Sequence, residues 1–256
     1  MSRSEEGFTI SELLVVIILT AFFSTLIMTF AFSYWRYGFL LQADLDTLTT
    51  RLNASDILRE EIGTSTGLTM QTSIPDANTA VPDSLNNQIW QSIHAIPGNK
   101  AVGSAGTKTP LIYFKRYSLN SSGSYILNGS QPYEDEYVLY LNGSTKTLNQ
   151  RLIANPSATG NKQKTSCPAN LATSTCPADK VIAEDLASID MRYFSRVGNL
   201  IDYTSIWDAN NNTYAGPDFT AVEVVELTLN LTKKPTFQKA NATFNTTIIR
   251  IALRNS

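Results

Sequence analysis

Apolar and polar positions divide the chain into three regimes. From Leu13 to Trp35 all 23 residues are uncharged and most are apolar. As a helix this run spans about 34 Å at 1.5 Å per residue, enough to cross a bilayer. Tyr34, Trp35 and Tyr37 close it where an interfacial aromatic belt belongs. The run is too long for a cleaved secretory signal, and no small-x-small site follows it. Then the spacing changes. Leu41, Leu45, Leu48, Leu52, Ser55, Leu58 and Ile62 recur in steps of four and three, which is one face of a helix. Gly38 is the only glycine and no proline falls between residues 8 and 62, so one helix of about 55 residues, about 82 Å long, is expected. Gly63 is the expected C-cap.

The third regime has the alternation of strands. Residues 63–110 are rich in Thr, Ser, Asn, Pro and Gly and read as loops with one or two short elements, around Gln88–Ile96. Leu111–Leu119 and Tyr125–Leu127 flank an Asn-Ser-Ser-Gly turn. Glu136–Leu141 and Lys146–Ile153 flank Asn142-Gly143, a strong hairpin signal. A polar loop over 154–180 holds both cysteines, and Ile189–Phe194 ends the next apolar stretch. Leu200–Tyr214 is turn-rich. Two long strands, Ala221–Leu231 and Ala242–Leu253, close the chain. Val222 and Val224 are out of phase with Val225, Leu227, Leu229 and Leu231, which predicts a bulge near Val224. Helix first and antiparallel strands after is an α+β order: a long N-terminal helix, anchor plus amphipathic extension, packed on an antiparallel β-sheet head.

Composition narrows the function classes. The 256 residues carry 20 Lys plus Arg and 22 Asp plus Glu, a near-neutral balance that gives no push towards nucleic acid or an acidic surface. The basic pairs Lys115-Arg116 and Lys233-Lys234 are scattered and form no stripe, so nucleic acid is not the expected partner. Two Cys and one His cannot build a Cys/His zinc site, and no cofactor is implied.

One residue does not suit a plain anchor. Glu12 sits in the first turns of the apolar helix, where a lone carboxylate is costly. The stretch Gly7-Phe8-Thr9-x-x-Glu12-Leu13-Leu14-Val15-Val16, followed by the apolar run, resembles the type IV pilin-like family of prepilins, pseudopilins and competence pilins. The resemblance implies cleavage by a prepilin peptidase between Gly7 and Phe8, with N-methylation of Phe8. It implies that Glu12 pairs with the α-amino group of a neighbouring subunit. Expected partners are then other pilin-like subunits, the peptidase, a membrane assembly platform, and membrane lipid before assembly. The expected place is the cell membrane, in a single pass with an extracytoplasmic head, and then an extracellular filament. The leader departs from the family habit, carrying Glu5 and Glu6 where basic residues are usual. The domain plan is a leader over 1–7, a spanning helix over 8–35, an amphipathic helix packed on the head over 36–62, and a β-rich head over 63–256. The order of elements and the head's size resemble the larger minor pilins of the W and J kind, a non-enzymatic role. The alternative is a single-pass anchored binding domain with no filament.

Three further patterns were weighed. Cys167 and Cys176 lie in a short loop, and an extracytoplasmic head makes a disulfide the expectation. Asp208, Asn210 and Asn212 begin like a calcium loop. Thr213 and Phe219 stand where that loop needs Gly and Glu, so a polar turn is expected and no metal site. Gly63-Thr-Ser65-Thr-Gly67 matches a hydrolase pattern that needs a strand before it and a helix after it. Here the long helix comes first, and His94 has no neighbour in sequence that marks it as a base.

Overall fold

A computed structural model describes residues 9–69, 71–76, 88–90, 98–101, 108–201, 207–208, 213–214, 221–233 and 243–253. One helix precedes all strands: α1, Ile10–Gly63. The strands are β1 Gly67–Thr69, β2 Gly98–Ala101, β3 Lys108–Tyr117, β4 Leu127–Asn128, β5 Gln131–Pro132, β6 Glu134–Asn142 and β7 Thr147–Ile153. They continue as β8 Lys180–Ala183, β9 Leu186–Phe194, β10 Leu200–Ile201, β11 Trp207–Asp208, β12 Thr213–Tyr214, β13 Val224–Lys233 and β14 Thr243–Ala252. The α+β arrangement is therefore as the sequence order suggests. The chain falls into two compact units. One holds the described residues up to Asp46; the other begins at Thr47 and holds every described strand, and α1 runs through both.

In the second unit two antiparallel sheets share a core. The first has the order β1-β3-β6-β7-β8. The second has the order β10-β9-β13-β14, with β2 also on β9. Alternation along β3 and β6 sends Ile112, Phe114, Tyr137, Leu139 and Leu141 to one face. There they meet Leu58 and Ile62 of α1, and Leu227, Leu229, Ile249 and Ile251 of the second sheet. The rings of Phe114 and Tyr137 stack at 5.1 Å. Tyr113, Val138, Tyr140 and Ile153 point to the opposite face of the first sheet, where Trp90 covers them.

The predicted helical stripe divides. Leu58 and Ile62 are fully buried, yet Leu41, Leu45, Leu48 and Leu52 are exposed, Leu52 by 57%. Apart from Thr47, the buried helical residues begin at Ala54, so the packed stretch is much shorter than 36–62.

Local expectations were corrected in three places. The Asn142-Gly143 hairpin exists, but β6 and β7 close at the pair Asn142↔Thr147, so the loop is Gly143–Lys146. The positive φ falls on Lys146, at 54°, and Asn142 instead accepts the Ser144 amide through its side-chain oxygen at 3.0 Å. No bulge occurs at Val224, because β13 starts there. Register with β14 is unbroken, and the irregularity against β9 lies at Asn230/Leu231. Gly63 is the last helical residue and has no positive φ; the end is closed by Thr64, whose amide and hydroxyl both donate to the Glu60 carbonyl, at 3.2 and 2.6 Å. The helix also passes through Gly38 without a break.

Candidate functional site

The first turn of α1 shows what Glu12 does within its own chain. The Thr9 amide donates to Glu12 Oε2 at 3.0 Å, and the Thr9 hydroxyl donates to the same oxygen at 2.8 Å. The Glu12 amide donates back to Thr9 Oγ1 at 3.4 Å. This is a reciprocal capping box, Thr-x-x-Glu, which satisfies amides that a helix start leaves without partners. The sequence carries its signal as Thr9-Ile-Ser-Glu12. Gly7 and Phe8, the expected cleavage site, lie outside the described residues.

The span after Glu12 is adapted to apolar surroundings. Leu13–Leu19, Phe22, Phe23, Ile27 and Phe30 are exposed on all sides of the helix. Four of its hydroxyls are turned inward on the backbone. Thr20 donates to the Val16 carbonyl at 2.7 Å; Thr25, Thr29 and Ser33 donate to the carbonyls four residues back at 2.8 Å. Such bonds satisfy those four donors without water. Among the described residues α1 is the one helix long and apolar enough to cross a membrane, compatible with a single-pass anchor.

Cys167 and Cys176 form the expected disulfide, with their Cα atoms 5.6 Å apart. It closes the loop between β7 and β8. Cys167 also exchanges backbone bonds with Pro177 and Asp179, at 2.8 and 2.7 Å, which brings Asp179 under the first sheet.

There the sequence reading missed a buried ionic cluster. Arg151, in β7, is fully buried with Asp76 at 2.8 Å and Asp179 at 2.8 Å. Tyr140 donates its hydroxyl to Asp179 at 2.5 Å, Ser166 donates to the same carboxylate at 2.7 Å, and the Trp90 indole donates to Asp76 at 2.9 Å. Burial alone would push the Arg151 guanidinium down; the Asp179 hydrogen bond and the charges of Asp179 and Asp76 outweigh it and hold the group above its usual value. Burial, then the Asp179 charge, pushes the Tyr140 hydroxyl well up.

A second set ties α1 to the first sheet. Glu61 receives Arg116 at 2.6 Å and Lys180 at 2.8 Å, and Gln150 donates to it at 3.1 Å. Burial pushes its carboxyl up, but the Lys180 and Gln150 hydrogen bonds and the two positive charges hold it below the ordinary value. Asp135 behaves oppositely. It is buried, one oxygen accepts from Ser118, Asn155 and Asn161, and burial outweighs those bonds and raises its carboxyl.

Of the calcium-like stretch, Asp208 lies in β11 and pairs with Thr213 of β12. Asn210 and Asn212 lie outside the described residues, and so does His94. Among the described residues no group of three or more His, Cys, Asp or Glu is placed to hold a metal ion. Ser65 follows α1 and precedes β1, so the strand-turn-helix setting of a nucleophile elbow is absent there.

Fold and site together define a chain with an anchor-like apolar helix and a disulfide-closed, two-sheet antiparallel head. No family model, curated protein or solved structure matches the chain.

Proposed function

We propose that the chain is a structural subunit, of the minor pilin or pseudopilin kind, in a type IV pilus-like filament. The supporting observation is the pairing of a carboxylate, Glu12, with an apolar helix exposed on every side that continues without interruption into the packed helix of the head. Prepilin peptidase cuts between Gly7 and Phe8, the subunit is held in the membrane by α1, and assembly exchanges lipid for the helices of other subunits. Glu12 then neutralises a neighbour's N-terminal amine in a low-dielectric bundle, where opposite charges attract strongly.

The Thr9–Glu12 box favours a second reading, a single-pass anchored binding domain in which Glu12 only caps its own helix. Glu12→Gln separates the two. Glutamine also completes a capping box but carries no charge. If Glu12 pairs with a neighbour, the variant reaches the membrane at the normal level and is lost from sheared filaments. Normal incorporation would leave capping as the whole role.

A further inference from the structure

A cleft of about 840 Å³ opens on the first sheet, clear of the helix and of the residues that filament assembly would use. Its size falls within the roughly 300–1,000 Å³ of small-ligand sites. One wall is the disulfide loop, with Pro168 and Leu171; the other is the β6–β7 turn, with Ser144 and Thr145. The floor includes Tyr140 and Asp179, locked by their bonds to one another and to Arg151. Wall and floor are thus both held in place before any ligand arrives, which lowers the ordering cost of binding.

The chemistry of the lining is specific. Asn142, Ser144, Thr145 and Asn170 bring amides and hydroxyls to the lining, groups that both donate and accept, while Thr147 and Asn149 beneath them are buried and bonded to one another. Leu171 and Val181 are about half exposed beside them and offer apolar surface to C–H groups. Lys108 lines the same cleft half-buried, and its ammonium makes no ion pair or hydrogen bond among the described residues. The acids that feel its charge, Asp76 and Asp179, are already bonded to Arg151. Burial and the Arg151 charge push its ammonium down, and the charge of a bound anion would oppose that shift. Glu184 and Asp185 also line the cleft, so a polyanion is disfavoured. A ligand that suits both must be rich in hydroxyls, which can donate to those carboxylates, and must bear a single acid.

We propose that this cleft binds a short oligosaccharide bearing one carboxylate, a uronic-acid type of glycan. Lys108 pairs with the carboxylate, and the amide and hydroxyl side chains take the ring hydroxyls. The test is calorimetric titration of the full chain in detergent micelles with a disaccharide containing one glucuronic acid, and with its neutral glucose counterpart. The acidic sugar is expected to bind saturably in the millimolar range, at least about fivefold tighter than the neutral one. Lys108→Gln should abolish that preference, so that both sugars bind alike, while the thermal unfolding of the head stays unchanged. Lys162→Gln, at an exposed lysine that does not line the cleft, should change nothing. No saturable binding of either sugar, equal binding of both, or a preference that survives Lys108→Gln would overturn the proposal.

Discussion

Glu61 and Asp135 are both carboxylates of the head unit, and their surroundings make them respond to pH in opposite senses. Glu61 is held below the ordinary glutamate value of 4.5, so its contribution to stability is complete above that pH and is lost as pH falls through its folded-state value. Glu61→Gln should therefore flatten the acid loss of stability, as read from urea midpoints between pH 5 and pH 3. Asp135 is raised above the ordinary 3.8, so its contribution is complete below that pH and is lost as pH rises through its folded value. Asp135→Asn should remove this opposing drift in the same measurement. Arg151 has a different consequence. Arg151→Met leaves Asp76 and Asp179 buried without their cation, which costs about 3–5 kcal/mol in breaking buried pairs. Denaturant unfolding of the head should show a loss of that order. A loss below about 1 kcal/mol would mean the carboxylates find other neutralisation.

At the scale of elements, α1 changes character along its length. Leu58 is fully buried in the shared core, and Leu58→Ala should cost about 2–5 kcal/mol of head stability. Leu52 belongs to the same predicted stripe but is exposed, so Leu52→Asn should stay within about 0.5 kcal/mol in the isolated subunit. In the filament reading, that exchange instead weakens incorporation, because Leu52 is exposed among the described residues and is available to a neighbouring subunit. The strands were legible where alternation was clean: the expected Ala221–Leu231 and Ala242–Leu253 correspond to β13 and β14, which pair with Val225 opposite Ile251 and Leu227 opposite Ile249. Turn chemistry was less so, since an Asn-Gly dipeptide does not say how many residues the loop will use. The disulfide followed from the implied compartment. The Arg151 cluster was not legible at all. Its acids come from 75 and 28 residues away, and only the sheet order and the disulfide loop bring them together. Glu134-Asp135-Glu136 was similarly opaque. Glu136 is buried by a nest of the Ser73 and Ile74 amides, at 2.8 and 2.9 Å, which no local pattern announces.

At the scale of the whole molecule, an anchor, a processing motif and a head are read from one chain, and they stand on different footing. The apolar helix and the two-sheet head follow from periodicity and are seen in the fold. The proposed filament role rests on Gly7, Phe8 and Glu12 and on an apolar helix surface that is exposed among the described residues. The acidic Glu5-Glu6 pair just before the proposed cut is the feature that fits that role least well. The most direct test is intact mass and N-terminal fragment analysis of the protein purified from its own membranes. The filament reading predicts a mature chain that begins at Phe8 with an N-methyl group. A chain that retains residues 1–7 would contradict it and leave an anchored head without a filament.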